Sequence, residues 1–524
     1  MSNRFITLAR TENQALGLGR LAIDFLAGRH GEPSDAVFRR TELFHADAIA
    51  CGVSAIAAGT NAPTVLRREA LEYPLLDNSL LGGGKPATRG PTCFGSTVPV
   101  RGEKAIVANC AAVREWDANG TNFGYNPALG HVAGEFGHND FYPVAVAAAQ
   151  IALCDGRQTV RAMILLDEIR GRLAEVFALR KYKIDHVVHG AIASAVVYAA
   201  MLGATAEQIE SAVGMVVAHY IPYRAIRAGH QLSDSKGASA ALSAEVAVLS
   251  AQRAIRGFIG PADVFRNPEA LFCLNEPPAA KNESPFDLVL ATSGDEFTVM
   301  GMHFKLGLYE HQSAGAIAGL IDVVTAHPQL LDDAADIEKI TISIYQPAFG
   351  IIGDPAKRDP RTRQSADHSM VYIVGRLLAK ALRTKQVNWQ ALMLMPDDYD
   401  EAALSDPLTR ELMSRIDFRH GGADYDAKYP DGIPTSLQIE HARLGRLDSG
   451  LVMYPAGHAR DTRADLDALL AHKFRRLASL GVADPDALWR RLQGLSERSA
   501  TDIATLYDFD ILHAASAATP TAAS

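Results

Sequence analysis

Between Trp116 and Asp140 the chain reads WDANGTNFGYNPALGHVAGEFGHND. Asp117, Thr121, His131, Glu135, His138 and Asp140 bring carboxylates, a hydroxyl and imidazoles into one short stretch. These are the parts of proton transfer: imidazole titrates near neutrality, and a carboxylate beside it carries a proton or orients the ring. Five glycines and Pro127 interrupt the stretch, so it is expected to be irregular loop rather than one helix. Loops held between rigid elements are where binding side chains concentrate, and also where plain solvated polar groups lie.

Four further places carry charge or imidazole next to an expected element. Asp185-His186-Val187-Val188-His189 opens an apolar helix, with two imidazoles about one turn apart. A histidine at a helix entry also serves simply to bond the backbone. Ser233-Asp234-Ser235-Lys236 precedes another helix, near Arg224, Arg227 and His230, and cations at a helix start favour anions. Phe304-Lys305 and His311-Gln312 stand just before a third helix, and Gly457-His458-Ala459-Arg460 is expected to end a late strand. Cations, an imidazole and a carboxylate together suit acid–base chemistry on an anionic substrate.

Two other chemistries compete. Ser233-x-x-Lys236 matches the S-x-x-K of serine acyl transfer, but the companion S-D-N and K-T-G motifs are absent. His131, Glu135 and His138 have helical spacing for a metal, but Gly130, Gly134 and Gly137 make a poor helix. Gly82-Gly83-Gly84-Lys85 is not a phosphate loop, because the first glycine is missing and Pro86 replaces the metal-binding hydroxyl.

The elements that must position these groups are mostly helical. Residues 15–60 read as two helices separated at Gly28, and residues 74–104 as loop with short extended pieces. Apolar spacing predicts helices at Pro143–Leu153, Val160–Phe177, Ala191–Leu202, Ala206–His219 and Gly237–Arg256, with Gly203 and Gly257 as caps. Many core positions are alanine, which predicts close helix packing. Asn275–Ser284, polar with two prolines, is the expected domain boundary. Beyond it Ile340, Ile342 and Ile344 alternate with polar residues as in a half-buried strand, and Leu437 and Ile439 do the same. Leu447–Gly450 resembles a hairpin turn into a strand at Leu451–Tyr454. Helices are expected at Ala314–Ala326, Met370–Ala381 and from Asp465, with Asp484-Pro485 starting another. The fold class is therefore mainly α with a smaller α+β domain.

Composition narrows the function. The chain has 524 residues, 48% hydrophobic and 21% charged, as in an ordinary globular protein of roughly two to four domains. Its net charge of −9 disfavours nucleic acid as a partner, while a local basic pocket remains compatible with an anionic small molecule. Five scattered cysteines without C-x-x-C suit buried, reduced thiols in the cytoplasm. The longest apolar run, Ala191–Leu202, is shorter than the roughly 20 residues of a membrane helix, and the N-terminus lacks a signal-like apolar core, so no membrane partner is expected.

Taken in order, the motifs resemble the MmgE/PrpD family of 2-methylcitrate dehydratases and cis-aconitate decarboxylases, closest to the bacterial dehydratase branch. The family's aspartate-to-threonine motif is similar to Asp117-Ala118-Asn119-Gly120-Thr121, and its histidine to His138. Its two lysines resemble Lys236 and Lys305, with Asp185-His186, His311-Gln312 and Tyr454-Pro455-x-Gly457-His458 in matching order. Three features depart. Asn119 and Gly120 replace acidic residues, the Thr121–His138 span is longer, and the Lys305–His311 span is shorter.

The resemblance implies a helical domain built from both chain ends, residues 1–280 and 461–513, with an α+β lid inserted at 285–460 and a disordered tail at 514–524. It further implies a homodimer, a site needing neither cofactor nor metal, and lyase chemistry on a tricarboxylate. On that basis His138 is the expected acid–base group, with Asp117 carrying the other proton or orienting His138. Lys236 and Lys305 bind carboxylates, assisted by Arg224 and Arg227, while Thr121, His186 and His311 position substrate. Decarboxylation of cis-aconitate, epimerisation beside a carboxylate, and a non-catalytic carboxylate binder are the alternatives.

Overall fold

Side-chain caps set where the helices begin. The computed structural model describes residues 4–77, 85–86, 89–227, 232–352 and 357–512. After β1 (Phe5–Leu8), Asn13 caps α1 (Gln14–Leu26) and Ser34 caps α2 (Asp35–Ala57), each accepting a bond from a first-turn amide. Next come α3 (Asn61–Leu71), the short pair β2 (Leu76–Asp77) and β3 (Lys85–Pro86), and α4 (Gly102–Arg114).

The stretch after α4 departs from expectation. In place of irregular loop the chain forms an antiparallel hairpin, β4 (Thr121–Asn126) and β5 (His131–His138), with Thr121 opposite His138 and Phe123 opposite Phe136. The glycines that argued against helix serve the hairpin instead. Gly130, at φ +73°, closes the turn after Pro127–Leu129. At Gly124 a Cβ would lie 2.5 Å from the Ala174 carbonyl oxygen, so only glycine lets the strand approach the following helices this closely.

Those helices are α5 (Tyr142–Ala152), α6 (Gly156–Val176), α7 (Val187–Met201), α8 (Ala206–His219) and α9 (Asp234–Ile255). They match the expected spans to within a few residues, and Gly203 and Gly257 take positive φ at their ends. The last begins earlier than expected: Ser233 is the cap, and Lys236 stands inside its first turn. Buried alanines such as Ala191, Ala195, Ala240, Ala244 and Ala247 line the contacts among α4, α7 and α9. Among the described residues no single helix is long and apolar enough to cross a membrane.

After α10 (Leu271–Asn275), β6 (Leu288–Ala291), in mid-chain, pairs antiparallel with the N-terminal β1. α11 (Ala314–Ala326) precedes β7 (Ile337–Ile344), followed by α12 (Gln346–Ile352), α13 (Arg363–Ala366) and α14 (Met370–Thr384). β8 (Ile416–His420), β9 (Thr435–His441) and β10 (Gly445–Asp448) complete a sheet of order β10-β9-β7-β8, with only β7 and β8 parallel. The expected turn at Leu447–Gly450 is displaced. Leu447 and Asp448 lie in β10, and the turn falls at 442–444, where His441 Nδ1 accepts from the Arg443 and Leu444 amides. The expected strand at Leu451–Tyr454 reduces to one bridge between Thr435 and Val452.

Helices Leu466–Ala478 and Pro485–Leu492 then return to pack against α2, started by Asp465 and Asp484 as expected. Four of the five cysteines are buried and none is bridged. His230, residues 82–84 and the tail 514–524 lie outside the described residues.

Candidate functional site

The site is built on Asp117, between α4 and β4, whose φ of +53° is rare for a side chain other than glycine. Lys305 Nζ donates to both its Oδ1 (2.6 Å) and its carbonyl oxygen (2.8 Å). From the end of α4, Arg114 adds a second cation on Oδ1, and its Nε lies 3.3 Å from Asp140. Lys473, fully buried on the helix Leu466–Ala478, donates to the next carbonyl, Ala118, at 2.6 Å and pairs with Asp47 of α2 at 2.7 Å. The adjacent end of α4 and two segments distant in sequence, bearing Lys305 and Lys473, thus hold one unusual turn.

The segment bearing Lys305 is fixed from both sides. His303 pairs with Thr121 through two backbone bonds, and the Phe304 amide donates to Gly457. Gly457 has φ +88°, and a Cβ there would collide with the Phe304 carbonyl oxygen. Gly457-His458 therefore supports the site from behind, although it ends no strand.

A cavity of about 290 Å³ opens beside Asp117. Of the residues expected from sequence, Asp117, Thr121, His138, Arg224, Arg227, Lys236 and His311 line it. Lys305 and His186 stand immediately behind, the first on Asp117 and the second with its ring 5.5 Å from that of His138. No hydrogen bond joins Asp117 to His138 among the described residues, so the expected orienting contact is replaced by the Lys305 and Arg114 contacts. Nor do His131, Glu135 and His138 gather as a metal site. His131 bonds Glu175 at 2.9 Å, and Glu135 accepts the Arg180 amide at 2.7 Å, because an extended strand spaces them apart instead of stacking them on one helix face.

Electrostatics differentiate the groups. Burial, then Arg114 and Lys305, holds His138 well below the usual histidine range, so its ring is neutral and can accept a proton. Burial likewise pushes Lys236 down to about 7; Asp367 opposes that shift, and Arg114 and Arg363 add to it. Burial disfavours an ionised Asp185, but Arg227, bonded to both its oxygens, more than offsets this and holds the carboxyl well below its usual value. Arg227 is thus committed internally. Arg224 Nη1 and both ring nitrogens of His311 are buried without hydrogen-bond partners, leaving them free for a ligand. The Thr121 hydroxyl is occupied by the Gly137 carbonyl at 3.0 Å.

Sequence reasoning missed Arg114, Glu310 and the pair Asp367-His368, all at this site. His368 lines the cavity, with Nδ1 2.6 Å from Asp367 Oδ1 and Nε2 3.2 Å from Asp117 Oδ2. A signal was present: Asp367-His368 stands before the apolar α14 just as Asp185-His186 stands before α7.

The order of these elements matches a known pattern. The MmgE/PrpD N-terminal domain matches residues 24–275 and the MmgE/PrpD C-terminal domain residues 311–493. The chain belongs to the MmgE/PrpD family. Among similar proteins, the 2-methylcitrate dehydratase of Salmonella typhi is 26% identical over 441 residues, covering 78% of this chain and 82% of that protein. The 2-methylcitrate dehydratases of Escherichia coli K12 and Cupriavidus necator are each 26% identical as well, over 432 and 448 residues. The cavity draws on both MmgE/PrpD domains: His138 and Lys236 lie in the first matched span, His311 and His368 in the second, and Lys305 between them.

Proposed function

We propose that the protein is a hydro-lyase that dehydrates 2-methylcitrate, or a closely related tricarboxylate, by acid–base elimination without a metal. One observation carries the reading: unpartnered Arg224 and His311, together with Lys236, face the same small cavity as a neutral His138. Fixed donors around a small cavity suit a substrate with several carboxylates, and a neutral imidazole suits removal of a proton from the carbon beside one. Lys236, Arg224 and His311 hold carboxylates in this reading, while Lys305 acts through Asp117.

The metal-free part rests on the donor set. Asp117, Asp367 and His368 bring potential ligand atoms within 4.8 Å of one another, but Lys305, Lys236, Arg114 and Arg363 already neutralise those carboxylates. A divalent ion there would face several fixed cations. The same proposal takes residues 1–280 and 461–513 as a helical body and 285–460 as a lid, supported by the packing of Leu466–Ala478 against α2.

The test is direct. Adding 2-methylcitrate should produce growing ultraviolet absorbance from the conjugated alkene, at an unchanged rate after exhaustive chelation. Loss of the rate on chelation removes the metal-free claim, and absence of any alkene from 2-methylcitrate or related tricarboxylates removes the dehydratase reading.

A further inference from the structure

Elimination of water needs one group to take a proton and a second to give one, and His138 pairs with no carboxylate among the described residues, whereas His368 meets two. From the contacts around Asp117 we infer that His368, held by Asp367, is the catalytic acid that delivers a proton to the departing hydroxyl, sharing that proton with Asp117 before substrate binds. The inference rests on the dehydratase reading and adds a residue to it.

The geometry carries it. Asp367 Oδ1 lies 2.6 Å from His368 Nδ1 and accepts from Lys236 Nζ at 3.0 Å, while its Oδ2 meets Arg363 at 3.2 Å. An ionised carboxylate only accepts, so Nδ1 carries a hydrogen and Nε2 is left as the nitrogen that exchanges protons. That Nε2 lies 3.2 Å from Asp117 Oδ2 on the cavity wall. Oδ2 is buried and accepts no hydrogen bond among the described residues, so His368 Nε2 is the nearest nitrogen able to bring it a proton. Asp117 Oδ1 is engaged by Lys305 and Arg114, while Oδ2, with Lys236 Nζ at 3.7 Å, faces His368 and is the side from which this proton can leave.

In the step, His138 takes the proton from the carbon beside a carboxylate, and the carbon–carbon double bond forms. The carbon–oxygen bond breaks, and the leaving oxygen takes the proton shared by His368 and Asp117, departing as water. The site resets when the proton on His138 is returned to the pair through solvent. Asp367 is the positioning residue.

Leaving-group dependence tests this. The analogue of 2-methylcitrate with fluorine in place of the tertiary hydroxyl expels fluoride, a weak base that needs no full proton. His368→Gln should lose water elimination by ~100- to 10,000-fold and keep fluoride release within about tenfold of the unaltered protein. Asp367→Asn, which also loosens Lys236, should lose more of the first rate than of the second, whereas His138→Ala should lose both. Retained fluoride release also shows that the variants fold. Equal losses on the two substrates, or unchanged water elimination in His368→Gln, overturn the assignment while leaving the dehydratase reading in place. An unaltered protein inactive on both substrates overturns that reading and the assignment with it.

Discussion

A lysine that titrates near neutrality makes substrate binding depend on pH in a definite direction. Burial places Lys236 at about 7, against an ordinary value of 10.5. Below that point the side chain is an ammonium and attracts a carboxylate; above it the amine attracts much less. KM for 2-methylcitrate should therefore stay low on the acid side and rise as pH passes about 7. Lys236→Met should have a raised KM without that break, and a wild-type KM flat from pH 6 to 9 would remove the role. At this scale much was readable beforehand. The residue types and order around His138, Lys236 and Lys305 pointed to one anion-handling cavity, because each flanks an expected helix or loop. The partner of each group was not readable. Arg114 is one charge at the end of an alanine-rich helix, and only the fold turns it toward Asp117.

The elements that hold the site are as informative as the residues facing it. The helix Leu466–Ala478 was expected from its apolar stripe, yet nothing in that stripe tells that Lys473 points inward at the Asp117 turn. Lys473 is fully buried with Asp47, and removing one partner of such a pair leaves an uncompensated charge. Lys473→Met should cost about 3–5 kcal/mol in urea unfolding. A loss near zero would show the pair to be dispensable. The hairpin exposes the limit of periodicity reading. Glycines at 124, 130 and 134 were correctly taken to exclude helix, but the same residues permit a tight strand pair pressed on α6, and the pattern alone does not separate that from loop.

For the molecule as a whole, a net charge of −9 coexists with a cavity rich in cations, so the global sign says little about the ligand. The mainly helical composition with one small mixed sheet was readable from periodicity. The antiparallel pairing of β1 with β6 was not, since a four-residue apolar run carries no information about a partner nearly three hundred positions away. We also propose that two chains pair. Phe258, Ile259 and Leu274 are exposed apolar side chains, Ile259 at 87%. Sedimentation equilibrium should give the mass of two chains, and a single-chain mass at micromolar concentration would exclude the pairing.

The clamp on the Ala118 carbonyl carries one more consequence. Synthesis runs from the amino end, so every cavity residue named above has left the ribosome before Lys473 is made. A nascent chain halted short of that helix holds the full set of acid, base and anion-binding groups, yet not the buried ammonium that pins their central turn. The central turn is pinned only then, by a residue outside the cavity lining.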